Sequence, residues 1–124
     1  IHMAKILIVD DDLETTKLFE DIIKTSGHEP FSITESKNAT NAIEIFGPDL
    51  ILLDIMMANI NGIQLCKLIK SDPKTTNIPV IMVSALSDEG SKRDSFNAGA
   101  DDFVVKPIQP KSFLTLINAT LNKG

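Results

Sequence analysis

Tryptophan and tyrosine are absent from this 124-residue chain, and cysteine and arginine each occur once, as Cys66 and Arg93. A lone cysteine excludes an internal disulfide and any multi-cysteine zinc site, and fits a reducing cytoplasm. No apolar run approaches the roughly 18–20 residues that a membrane span needs. The start lacks the basic and apolar segments of a secretion signal. Net charge is −5, from 12 basic and 17 acidic residues. So acidic and arginine-poor a chain is a weak candidate for direct nucleic-acid binding.

Apolar residues make up 43% and charged residues 23%, ordinary values for one globular domain. Ile1 and His2 ahead of Met3 read as a vector remnant, so residues 1–3 are set aside and a single domain is expected over 4–122, with no effector domain after it.

Strand-like and helix-like segments alternate along that domain. Lys5–Val9 is a short, β-branched apolar run that reads as a buried strand. Leu13–Ser26 repeats Leu18, Phe19, Ile22 and Ile23 at helical spacing, and Gly27 follows as a stop. Pro30–Thr34 reads as a strand placed at a sheet edge, because Pro30 cannot donate to a ladder. Ser36 is the expected N-cap of a helix carrying Ala39, Ala42, Ile43 and Phe46, ended by Gly47–Pro48. Leu50–Leu53 is a second buried strand. Asn61 caps a helix with Leu65, Cys66, Leu68 and Ile69 on its apolar face, stopped at Asp72–Pro73. Val80–Val83 is a third buried strand. Asp88–Ala98 is a weaker helix with Phe96 as its one large apolar residue. Phe103–Val105 is a last strand. Pro110–Leu121 is a closing helix with Phe113, Leu114, Ile117 and Leu121 on one side.

This βαβαβαβαβα order gives an α/β domain with a parallel sheet and helices on both faces. Four of the strands end in residues with usable chemistry: Asp10 and Asp11, Asp54, Ser84, and Lys106. In a flavodoxin-like (βα)5 domain with strand order 2-1-3-4-5, the ligand crevice lies beyond the carboxyl ends of the first and third strands. Asp10, Asp11 and Asp54 would meet there, with Ser84 and Lys106 arriving from the next two strands. Three crowded carboxylates repel one another, and a hard divalent cation relieves that repulsion. A lysine and a hydroxyl opposite it complete a cradle for a phosphoryl group, and a carboxylate can act as the nucleophile.

At this point the sequence resembles the receiver domain of bacterial two-component response regulators, over Ala4 to about Leu121. The motifs that carry the likeness are Ile6-Leu-Ile-Val-Asp-Asp11, Pro48-Asp-Leu-Ile-Leu-Leu-Asp-Ile-Met-Met57, Asn77-Ile-Pro-Val-Ile-Met-Val-Ser-Ala85 and Gly99-Ala-Asp-Asp-Phe-Val-Val-Lys-Pro107. One alone would be weak; four in order at the right spacing are specific. The resemblance implies that Asp54 takes a phosphoryl group from a sensor histidine kinase or phosphotransfer protein. It implies Mg2+, or Mn2+ in its place, on Asp10, Asp11, Asp54 and the Met56 backbone carbonyl. It implies that Lys106, Ser84 and the main-chain N–H groups of Met56 and Ala85 hold the phosphoryl oxygens. The Lys106–Pro107 bond is expected to be cis. Ser84 and Phe103 take the family's switch positions, moving a face made by the fourth helix, fifth strand and fifth helix. Such a protein catalyses its own aspartyl phosphorylation and dephosphorylation but turns over no separate substrate. Its output partner or fused effector is unnamed by the sequence, and phosphorylation-dependent homodimerisation is a fair expectation.

The chain departs from the family pattern at Ala58, usually proline, and at Asn61, often aspartate. Phe103 lacks the hydroxyl of the tyrosine often found there. Lys111–Leu121 lacks the arginine of one regulator class's charged dimer face, which argues against that dimer. Met56 and Leu86 stand where polar residues can orient a water, so slow self-dephosphorylation is expected. Several residues have plainer readings: Asp12 is a first-turn acid favoured by the helix dipole, Cys66, Met57 and Met82 are packing, and His28 has no assigned role. Three rival readings compete with this one. A haloacid-dehalogenase-type phosphatase with Asp10 as nucleophile and Asp12 as acid would leave Asp54 unexplained. A flavin-mononucleotide binder would want a first loop free of acids. A degenerate receiver used only for docking would not need all five site residue types.

Overall fold

The computed structural model describes residues 3–86 and 88–123. Five parallel strands form one sheet in the order β2-β1-β3-β4-β5: β1 Lys5–Val9, β2 Glu29–Ile33, β3 Leu50–Leu53, β4 Val80–Ser84 and β5 Asp102–Val105. The helices between and after them are α1 Leu13–Thr25, α2 Ala39–Phe46, α3 Gly62–Ser71, α4 Glu89–Asn97 and α5 Pro110–Asn122.

The central strands bury both faces, which is why they read as unbroken apolar runs. Period-two alternation then divides their side chains into two layers. Leu7, Val9, Ile51, Leu53, Val80 and Met82 pack with Ala42 and Ile43 of α2 and with Leu65, Cys66 and Ile69 of α3. Ile6, Ile8, Leu50, Leu52, Ile81 and Val83 pack on the other side with Phe19, Ile22 and Ile23 of α1 and with Phe113 and Ile117 of α5. Phe19 and Phe113 meet with ring centroids 5.2 Å apart, fixing α1 against α5. Each such side chain contributes about 1.5–3 kcal/mol on burial, so the two layers hold the sheet ends in place.

Several local expectations are corrected. The edge strand is Glu29–Ile33, one residue earlier than expected, because the Glu29 N–H already donates to the Ala4 carbonyl at 2.9 Å. Ser36 does not cap α2. It begins a 3₁₀ turn, Ser36–Asn38, and its side chain is turned elsewhere. Leu18 and Leu68 lie outside the core, each 51% exposed, although both match the helical spacing of their buried neighbours. The last strand includes Asp102.

Other signals read as they stand. Asn61 accepts the Gln64 N–H while Gln64 accepts the Asn61 N–H, a full capping box. Gly47 ends α2 at φ 64°, a left-handed position that suits glycine. Ser95 is the buried residue of α4, and Phe96 is 41% exposed, so α4 rests on the sheet by little apolar contact. His28, unassigned from sequence, is buried: its Nδ1 accepts the Ala4 N–H at 3.0 Å and its Nε2 meets Asn118 Oδ1 at 3.0 Å. An acceptor at Nδ1 places the ring proton on Nε2, so the imidazole ties the start of β1 to α5. The Cys66 thiol is buried in the first layer, and that burial pushes it up to about 11. It is unreactive packing. Among the described residues no helix is long and apolar enough to cross a membrane.

Candidate functional site

The chain runs from β1 outward to β2 and then back across β1 to β3, so strand order reverses between β1 and β3. In parallel sheets that reversal opens a crevice beyond the strands' carboxyl ends. Asp10 follows β1 directly, and Asp54 follows β3. Their backbones continue the ladder: the Asp10 N–H donates to Ile33 O at 3.2 Å, and the Asp54 N–H to Val9 O at 2.9 Å. Asp54 is therefore locked beside the residue that precedes Asp10. Carboxylate oxygens of Asp10, Asp11 and Asp54 all lie within 4.8 Å of one another.

Asp10 is 2% exposed, Asp54 is 7% exposed, and Asp11 faces solvent. Lys106, just past β5, reaches across the sheet end and donates to Asp10 Oδ2 at 2.8 Å, with Asp54 Oδ1 at 3.6 Å. Asp10 Oδ1 also accepts the Asp12 N–H at 3.0 Å, so both its oxygens are engaged. Asp54 has the longer contact with the ammonium, together with the backbone N–H of Ile55. Burial and the neighbouring Asp10 charge push its carboxyl up to about 6, against the opposing pull of Lys106. Burial would lower Lys106, but its hydrogen bond to Asp10 and the charges of Asp10 and Asp54 outweigh that and hold it above the ordinary lysine value. Asp12 stands outside the cluster at the head of α1, where the Thr15 hydroxyl bonds its carboxylate and holds it below the usual range.

Ser84, the last residue of β4, is fully buried. Its oxygen accepts the Leu86 N–H at 3.1 Å and keeps its own proton to donate. The Lys106 N–H donates to Ser84 O at 2.8 Å, tying the ends of β4 and β5 together. Met56 and Ala85 are exposed at the rim, Leu86 is half-buried beside them, and Phe103 is half-buried against the first core layer. The Lys106–Pro107 bond is cis.

Gly62, which carries no sequence expectation, and Ser36, expected only as a cap, also shape the site. A Cβ built on Gly62 would lie 2.0 Å from the Asp54 carbonyl oxygen, so α3 starts directly against the backbone of that aspartate. The readable signal was a glycine in the first turn of a helix, where it costs up to about 1 kcal/mol relative to alanine. Ser36, expected as a cap, bonds instead to the loop between β3 and α3. Its tertiary partners, 22 and 24 residues away, leave no sequence signal.

Three convergent carboxylates and one bound ammonium, at the sheet end where β4 also brings Ser84, fit a hard cation and an oxyanion beside it. All three donors are oxygen, the ligand set Mg2+ prefers, and nothing soft competes with it.

Comparison with known proteins agrees with this geometry. The model of the family described as response regulator receiver domain matches residues 6–118. The DNA-binding response regulator MtrA of Mycolicibacterium smegmatis is 31% identical over 120 residues, covering 97% of this chain and 51% of that protein. The chain thus spans about half the length of the curated relatives it matches. Among solved structures, a response regulator receiver domain protein of Methanospirillum hungatei superposes with a TM-score of 0.91 at 27% identity, covering 98% of this chain and 96% of that one. The BeF3-activated N-terminal receiver domain of Klebsiella pneumoniae RstA superposes at 0.89 with 26% identity, covering 94% and 97%. The chain belongs to the response-regulator receiver family and is a phosphoacceptor receiver domain.

Proposed function

We propose that Asp54 is the phosphoacceptor, and that it is charged by a sensor histidine kinase or phosphotransfer protein. The observation that carries this reading is the contrast between two adjacent buried carboxylates. Lys106 bonds Asp10 at 2.8 Å, and Asp10 also accepts the Asp12 N–H, whereas Asp54 stands 3.6 Å from Lys106 with the Ile55 N–H as its other support. A carboxylate oxygen of Asp54 attacks the phosphorus of a phosphohistidine. The new O–P bond forms as the N–P bond breaks, and the imidazole leaves with the bonding pair. The product is an acyl phosphate, which water later hydrolyses to restore the carboxylate.

Asp10, Asp11, Asp54 and the Met56 carbonyl would hold Mg2+, with Mn2+ as a substitute. The ion would neutralise the carboxylates and the incoming phosphoryl oxygens. Lys106 is placed to take one phosphoryl oxygen, and its release from Asp10 accompanies that move. The Ser84 hydroxyl and the N–H groups of Met56 and Ala85 would take others. Drawing Ser84 toward the phosphoryl group makes room for Phe103 to turn inward. That motion shifts α4, β5 and α5 toward an output partner or fused effector.

The test is intact-protein mass after incubation with Mg2+ and acetyl phosphate, beside Asp54→Asn. One phosphoryl group on the parent alone, abolished by a chelator, supports the reading. Addition that survives in the variant rejects it, and so does no addition at all. Esterase-type turnover lost with Asp10 rather than Asp54 would instead favour the phosphatase alternative.

A further inference from the structure

The loop from Ile55 to Asn61 carries Met56, whose carbonyl and N–H both enter the proposed chemistry. Ile55 is buried and Met57 and Ile60 pack partly on the first core layer, but the residues between Met57 and Ile60 stand open. Met56 is 63% exposed, Ala58 and Asn59 are exposed, and Asn59 turns left-handed at φ 72°, a conformation that asparagine adopts more readily than most residues. Its base is closed by the Gly62 N–H donating to Ile55 O at 2.9 Å. Its far side is held from another element altogether. Ser36, 2% exposed, donates its hydroxyl to Ala58 O at 2.9 Å and accepts the Ile60 N–H at 3.2 Å. One hydroxyl thus spans both sides of Asn59 and fixes the peptide that turns left-handed.

We infer that Ser36 is a positioning residue for the phosphoryl-transfer site, acting through the loop that presents the Met56 backbone. This rests on the reading of Asp54 and Met56 given above. Ala58 matters to the argument. Its N–H donates to no group among the described residues, and it lacks the ring that would fix φ. The restraint that a proline would supply locally is supplied here by a side chain on the 3₁₀ turn before α2. Partners bonded directly to a metal ligand typically govern affinity about tenfold or more, and Ser36, bonded two residues beyond Met56, is expected to govern it by less.

Three proteins test this: the parent, Ser36→Ala, and Ser36→Ala combined with Ala58→Pro. Melting curves establish that each folds. Calorimetry gives the Mg2+ dissociation constant, intact mass gives the acetyl-phosphate labelling rate, and amide exchange follows Met56 and Met57 in metal-free protein. Ser36→Ala is expected to weaken Mg2+ by about fivefold, below the effect of a partner bonded to a ligand itself, to slow labelling by a comparable factor and to speed exchange at Met56 and Met57. Ala58→Pro should restore most of each, since proline stiffens the same loop without replacing the lost packing. A variant within twofold of the parent in all three readouts overturns the inference. So do losses that Ala58→Pro leaves unrepaired, which would make Ser36 a packing residue only. A parent that binds no Mg2+ and takes no phosphoryl group rejects the reading of Asp54 instead. The exchange rates at Met56 and Met57 then still decide whether Ser36 holds the loop.

Discussion

The Asp54 carboxyl, pushed up to about 6 by burial and by the Asp10 charge, makes a prediction with a definite sign. The folded protein holds the Asp54 proton more tightly than the unfolded chain does. That contribution is fully present below the ordinary carboxylate value and is lost as pH rises through about 6. In metal-free protein, Asp54→Asn should therefore melt above the parent at pH 7, and the gap should shrink as pH falls towards 4. A gap independent of pH would show that ionised Asp54 carries no such cost. Added Mg2+ should raise the melting temperature of the parent more than that of the variant, because it binds the folded carboxylates. The side chains of Met56 and Leu86 carry no N–H or O–H to orient an attacking water. Met56→Asn is expected to shorten the phosphoryl lifetime several-fold, measured as loss of the added mass after the donor is removed; an unchanged lifetime would mean that water access is set elsewhere. At this scale some identities were legible and others were not. Asp10, Asp11, Asp54 and Lys106 could be read because each ends a strand-like run. Leu18 and Leu68 misled because helical spacing locates a stripe but not its edge. Ser36 misled because its hydroxyl found a tertiary partner in preference to a cap.

Elements were easier to read than their ends. The apolar runs of β1, β3 and β4 could be nothing but strands covered on both faces, and Pro30 put β2 at the edge. The bounds of β1 and β3 read as they stand, whereas those of β2, β4 and β5 shifted by a residue where backbone hydrogen bonds, invisible in sequence, began or ended. The start of α3 is the tightest of these junctions. Gly62→Ala would drive a methyl group into the Asp54 carbonyl. The expected cost is about 1–3 kcal/mol, read from chemical denaturation, together with a fall in acetyl-phosphate labelling as Asp54 is displaced. Stability within about 0.5 kcal/mol of the parent would mean that the junction relaxes freely. The opposite case is α4, held by Ser95 and little else of its own. Its amides should exchange faster than those of α1, α3 and α5 in the unphosphorylated protein, as suits an element that shifts at low cost. Equal protection would place the mobile element elsewhere.

Across the whole molecule, alternation implied a parallel sheet covered on both faces, and the strand order expected of a flavodoxin-like domain, which the structure shows, then located the site at one sheet end. Once β1 and β3 are neighbours, the residues after them must share a sheet end, and β4 and β5 deliver Ser84 and Lys106 to the same end. What alternation could not supply is the second set of contacts that fixes this end: Gly62 beneath Asp54 and Ser36 across the β3–α3 loop. Both depend on how loops close in three dimensions. The opposite end of the sheet is held by His28, whose role likewise rests on partners distant in sequence, Ala4 and Asn118.

The most direct test of the account concerns one carboxyl group. The protein, labelled with acetyl phosphate and Mg2+, is reduced with borohydride, which converts an acyl phosphate to the alcohol, and its peptides are mapped by mass. The account predicts homoserine at position 54 and aspartate retained at positions 10, 11 and 12. Homoserine at Asp10, or no reduction at any aspartate after labelling, would contradict it.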